Sequence, residues 1–117
     1  DGNDYWIWEE IAKAYRPAMV IVEINGVHKP PKRWVMEYNP AHIWQRDSYY
    51  GASLQSLSDL GNRLGYALLG VERAGVNAFF LRKGLLQRSG FPARTAEEAW
   101  RPPRWMHRER AGPFVEI

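Results

Sequence analysis

The stretch from Tyr49 to Lys83 leaves a chain of this length few ways to fold. After Gly51-Ala52-Ser53, leucines recur at positions 54, 57, 60 and 64, a helical stripe that predicts a helix over 52–64 and stops at Gly65, a residue type favoured just past helix ends. Two apolar runs follow, Tyr66 to Val71 and Ala78 to Leu81, with Arg73-Ala74-Gly75 in the turn between them, so antiparallel strands are expected over 66–72 and 77–83. Neither run alternates cleanly. Continuous apolar strands are usually covered on both faces, which points to the edge of a layered α/β sheet rather than a hairpin lying on a surface.

That sheet needs a further strand, and Ala18-Met19-Val20-Ile21-Val22-Glu23-Ile24-Asn25 supplies it. An uninterrupted, largely β-branched run closing on polar groups predicts a buried parallel strand over 18–24. Its carboxyl end is where open α/β sheets bind ligands. Ahead of it, Tyr5, Trp8, Ile11, Ala12 and Tyr15 share one helical face, giving a helix over 4–15 capped by Asn3 or Asp4 and ended by Arg16-Pro17. Residues 26–50 carry Gly26, Pro30, Pro31 and Pro40 and are expected to form a long ordered loop, with Trp34 to Tyr38 as its one short strand. Beyond the hairpin, Gly84 to Ser89 suggests a helical turn, and Thr95 to Trp100 a capped turn before Pro102-Pro103. The expected organisation is an α/β body over 1–89 and a Pro-, Arg- and Trp-rich tail over 90–117 packing on it.

The 117 residues suit one domain, and 45% hydrophobic content with six Trp, six Tyr and four Phe suffices for a core. The absence of Cys removes disulfide scaffolds, thiolate metal sites and cysteine nucleophiles together. Sixteen basic and thirteen acidic residues are interleaved over most of the chain, so the net charge of +3 allows nucleic-acid binding without indicating it. No apolar run approaches the roughly 20 residues of a membrane span, and the opening DGNDYW lacks the pattern of a signal peptide. A soluble, cytoplasmic protein is expected.

The order helix, strand, long loop, helix, strand, reversed strand resembles the carboxyl-terminal half of a class I, Rossmann-like methyltransferase. The segments DGNDYW at 1–6, Glu23-Ile24-Asn25, YYGASL at 49–54, Leu60-Gly61 to Gly65-Tyr66 and GVNAFF at 75–80 are similar to a bacterial group related to FkbM-type methyltransferases, over roughly residues 1–83. The resemblance implies that DGND follows the fourth strand of the sheet, that 18–24 is the fifth strand, that the helix from Ala52 is the crossover, and that the hairpin is the last two strands. It also implies S-adenosylmethionine as cofactor, bound by a Gly-rich turn after the first strand, whereas this chain contains no Gly-x-Gly. The implied role is therefore the acceptor half of a methyltransferase, a fragment or natural half inactive alone, with a small-molecule methyl acceptor as substrate.

Candidate site residues follow. The resemblance puts Asp1, Asn3 and Asp4 at a strand end facing the donor, Asp1 and Asp4 as catalytic carboxylates and Asn3 toward the cofactor; helix capping is the structural alternative. Glu23 and Asn25 alternate along their strand and are expected to point the same way, Glu23 as a base and Asn25 as a hydrogen-bonding clamp. Tyr50 and Ser53 join Asn25 as acceptor-binding candidates, Ser53 at a helix start that is more often only a cap. His28, His42 and His107 lack the spacing of helical metal ligands, and no metal site is expected. A reading of another class makes the chain a non-enzymatic module that contacts RNA or a partner protein through the basic, Trp-bearing tail from Trp100 to Arg110. A docking strap is the structural alternative there. Finally, strand 18–24, deprived of the fourth strand and free of Pro or Lys, is expected to leave an open edge and to drive homo-oligomerisation or completion of the sheet by a partner.

Overall fold

The computed structural model describes residues 1–105 and 109–117. In chain order the elements are α1 (Asp4–Ile11), β1 (Met19–Glu23), β2 (Val35–Met36), α2 (Leu54–Arg63), β3 (Tyr66–Val71), β4 (Asn77–Arg82), a 3₁₀ turn (Lys83–Leu85), α3 (Leu86–Ser89), α4 (Ala96–Ala99) and β5 (Phe114–Val115). The fold is α/β, and its main sheet has the order β1-β4-β3, with β4 antiparallel to both neighbours. A second, two-stranded sheet pairs β2 with β5 of the tail. Among the described residues no helix is long and apolar enough to cross a membrane.

The helix–hairpin unit forms as its pattern requires. Ser53 caps α2 by accepting from the Ser56 N–H at 3.3 Å, and Leu54, Leu57, Leu60 and Gly61 are buried along one stripe. The hairpin turn is held by Glu72, whose carboxylate accepts from the N–H groups of Ala74 (2.6 Å), Val76 (2.7 Å) and Asn77 (2.8 Å). Burial of that carboxylate raises its pKa, but the three donations outweigh this and hold it below the usual value. An irregularity between Leu68 and Gly70 shifts the β3 register against β4 and accounts for the broken alternation.

The core lies between one face of the sheet and helices α1 and α2. Trp8 packs on Phe80 at 4.9 Å between ring centroids and edge-on to Tyr66 at 5.7 Å. Gly61 lets α2 approach this pair, since a Cβ there would lie 2.9 Å from the Phe80 ring and 3.0 Å from Trp8.

Three expectations are corrected. Strand β1 is not buried: it pairs antiparallel with β4 and stands at the sheet edge, with Val22 buried but Met19 and Ile21 45% and 59% exposed. Its outer edge pairs with no strand among the described residues, so an apolar run that would be enclosed in a larger sheet stays half in water. Helix α1 stops at Ile11, ahead of the expected Tyr15, and closes through irregular turns over residues 12–14. Asn3 occupies the N-cap position without capping, because its side chain bonds to Asn39 instead.

The tail is a strap. Its Arg94 N–H donates to the Leu68 carbonyl at 2.8 Å and the Arg101 side chain to that of Val71 at 3.1 Å, which covers the outer edge of β3. Thr95 and Glu98 form a reciprocal capping box on α4. Farther on, Arg110 pairs with buried Asp47, Phe114 stacks on Trp34 at 5.0 Å, and the Ile117 carbonyl accepts from the Ser56 hydroxyl. His107 lies outside the described residues.

Candidate functional site

The segments DGND, β1 and YYGAS are far apart in sequence and meet at the carboxyl end of β1. Gly2 is the closest approach. It sits at φ +73°, and a Cβ there would lie 3.2 Å from the Met36 thioether and 3.3 Å from the Gly51 nitrogen, so only a bare backbone lets the amino-terminal segment lie against YYGAS. Asn3 then ties this segment to the long loop: its Nδ2 donates to the Asn39 carbonyl at 2.8 Å and its Oδ1 accepts from the Asn39 N–H at 3.0 Å. Trp6 adds an indole N–H to the Met36 carbonyl at 2.8 Å.

Asn25 performs the same service from β1. It is fully buried, its Nδ2 donates to the carbonyls of Ser48 (2.8 Å) and Tyr50 (2.9 Å), and its Oδ1 accepts from the Val27 N–H at 3.2 Å. Its backbone N–H reaches the Ala52 carbonyl at 2.7 Å. A side chain so fully engaged fixes the 48–52 turn and offers nothing to a ligand. The expectation that Asn25 and Glu23 act side by side is thus overturned: Glu23 stays exposed while Asn25 turns inward, because the regular strand ends between them.

What Asn25 anchors is Tyr50, and Tyr50 joins Glu23 and Asp4 in one electrostatic group. Crowding by protein raises the Asp4 pKa. Glu23 keeps a large part of its surface in water, yet its carboxylate is desolvated, and this, followed by repulsion from Asp4, raises its pKa too. Burial, then the field of Glu23, pushes the Tyr50 phenol up to about 12. Neither Asp4 nor Glu23 takes part in an ion pair among the described residues. The arrangement gives a carboxylate of enhanced basicity beside a phenol that stays protonated at neutral pH. Such a pair can accept a proton at Glu23 and donate a hydrogen bond from Tyr50.

The other candidates fall elsewhere. Asp1 is exposed, and its Oδ2 accepts from the Trp44 N–H at 2.8 Å. Ser53 is buried and occupied as the α2 cap, also accepting from the Trp34 N–H at 3.2 Å. Among the described residues no group of His, Asp or Glu is placed to hold a metal.

One constellation escaped sequence reasoning. His28 is buried, stands edge-on to Trp34 and Phe114 at 4.9 and 4.8 Å, and its Nε2 has no hydrogen-bond partner. Lys32 lies 3.6 Å from the Trp34 ring centroid. No local signal links His28 to Phe114, 86 positions away.

No family model matches the chain, and no curated protein or solved structure matches it significantly.

Proposed function

We propose that residues 1–117 form the acceptor half of an S-adenosylmethionine-dependent methyltransferase of the FkbM-related kind, with Glu23 as the proton-accepting group. The observation that carries this reading is the meeting of Asp4, Glu23 and Tyr50 at the carboxyl end of β1, built from the segments on which the resemblance rests. Topology supports it as well. Both β1 and β3 are antiparallel to β4 and so run in the same direction, with α2 connecting them, as the resemblance asks of a fifth strand, a crossover and two final strands.

Within this reading Glu23 takes the proton of an acceptor hydroxyl or amine, and the side chain of Tyr50, whose backbone carbonyl Asn25 anchors, orients that acceptor. Desolvation, and then the charge of Asp4, keeps the Glu23 carboxylate basic. The residues present do not fit the methyl donor: no Gly-x-Gly turn exists in the sequence, and Asn3, assigned to the donor, is spent on Asn39. Donor binding therefore belongs to polypeptide outside residues 1–117, and the half is inactive alone in a cytoplasmic setting. A strap role for the described part of the tail is supported by Trp100, which donates to the Gly26 carbonyl at 3.0 Å, and by Arg101 and Arg110, which are engaged with the body.

Calorimetric titration tests the proposal. S-adenosylmethionine should give no heat with residues 1–117, and micromolar binding by this half alone would overturn it. Extending the chain on the Asp1 side through a Gly-rich turn should restore binding, with Glu23→Gln then lowering turnover and leaving donor affinity unchanged.

A further inference from the structure

Acids and bases alternate along the sequence, but the fold gathers cations around the turn between β3 and β4. Gly75 makes this possible. At φ +73°, with a Cβ that would lie 2.7 Å from the Pro102 carbonyl oxygen and 2.8 Å from that of Arg101, it lets the strap cross the turn on bare backbone. The Arg104 N–H then donates to the Ala74 carbonyl at 3.0 Å. Gly26 closes in from the loop after β1: a Cβ there would lie 2.9 Å from the Gly75 oxygen and 3.3 Å from Pro103, and its carbonyl accepts from the Trp100 indole. Three segments distant in sequence thereby bring Lys29, Arg73, Arg101 and Arg104 to one surface.

All four are exposed, and none joins an ion pair among the described residues. Lys29 holds its Nζ 5.4 Å from the Trp100 ring centroid, and Arg101 donates from Nε to the Val71 carbonyl, which leaves its Nη groups for another acceptor. The carboxylates of the region are engaged elsewhere. Glu72 accepts from three N–H groups of the turn, and Glu98 from the Thr95 N–H. Glu97 lines a groove with Tyr66 to Leu68 at the opposite end of β3, while Glu23, across from Asn77, belongs with Asp4 and Tyr50. Next to Arg104 the Trp105 indole is 65% exposed. The turn joins β4 to β3, on the side of the sheet away from the β1 edge that the methyltransferase reading gives to a preceding strand.

We propose that this surface binds single-stranded nucleic acid, with phosphates against Lys29, Arg73, Arg101 and Arg104 and one base stacked on Trp105. Guanidinium groups match phosphate oxygens through paired N–H donors, and three of the four cations are arginines. An exposed indole beside them offers a flat face on which any base can stack. Paired bases keep their faces covered within the duplex, so the indole selects a single strand. An acidic peptide satisfies the cations but brings no ring for Trp105.

The test is fluorescence anisotropy of a labelled oligouridine titrated with residues 1–117. Binding should be micromolar at about 50 mM salt, and three or four phosphate contacts should make the log of the association constant fall against log salt with a slope of about −2 to −3. Arg73→Glu and Arg104→Glu, both at exposed positions, should each weaken binding about tenfold. Arg88→Glu makes the same charge change on α3, beyond the far end of β4, and should leave the affinity as it is. Trp105→Ala should weaken binding about tenfold through lost stacking. Losses at Arg73 and Arg104 no larger than that at Arg88 would overturn the proposal, as would absent or salt-independent binding. A base-free deoxyribose phosphate chain or polyglutamate that binds as tightly as the oligouridine, or an unchanged affinity in Trp105→Ala, would overturn the assignment to nucleic acid. None of these outcomes bears on the donor titration, so the two proposals fall separately.

Discussion

Acidification should destabilise this protein through His28. The ring is buried between Trp34 and Phe114, its Nε2 has no hydrogen-bond partner, and Lys32 lies nearby. Desolvation first, then the charge of Lys32, lowers its pKa from the usual 6.5 to about 4. In the unfolded chain the ring regains its ordinary value, so below about pH 6.5 the unfolded state binds a proton that the native state refuses. Stability contributed by the neutral ring is therefore whole above the unfolded value and is lost as pH falls toward about 4. At 1.36 kcal/mol per pKa unit the loss is about 2 kcal/mol at pH 5 and about 3 kcal/mol at the acid limit. Asp4 and Glu23 act with the opposite sign, since raised carboxylate values favour the fold at low pH, so the comparison must be between variants. Urea unfolding at about pH 7 and 5, followed by Trp fluorescence, should show the native chain losing about 2 kcal/mol more than His28→Phe. Lys32→Met should soften the loss. Equal pH dependence in the native chain and His28→Phe would refute the reasoning.

Other substitutions probe separate parts of the fold. Gly61→Ala forces a methyl against Phe80 and Trp8 and should cost about 1–3 kcal/mol in urea unfolding. Glu72→Ala removes three acceptor contacts from the hairpin turn and should cost about 1–2 kcal/mol. Because the Glu72 pKa is depressed, its contribution is full above the usual carboxylate value and disappears as pH falls through the native one, so Glu72→Ala should lose less than the native chain on acidification below about pH 4. Phe114→Ala takes the ring that His28, Trp34 and Tyr49 share out of the strap; about 2 kcal/mol should be lost, and limited proteolysis should begin in the tail.

Local pattern determined the elements. The leucine spacing and Ser53 set α2, the paired apolar runs set β3 and β4, and Thr95 with Glu98 set the α4 cap, because each depends on neighbours within a few positions. Glu23 and Tyr50 were legible as candidates for the same reason: polar groups at a strand end and in a turn stand out against apolar runs. Their grouping with Asp4 was not, since it depends on the Gly2–Gly51 approach and the Asn25 anchor across loops of more than twenty residues. Asn3, Asn25 and Ser53 have the composition of ligand-binding residues, and only tertiary contacts show that backbone groups already saturate them. The run 18–24 states that a strand forms but not how many neighbours it has; burial of a strand is a property of the whole sheet, and with β4 on one side alone the same residues make a half-exposed edge. The tail shows the limit most plainly. Nothing local in Phe114-Val115 announces a partner, and β5 exists because Val35 and Met36, nearly eighty positions earlier, present a backbone edge for it to join.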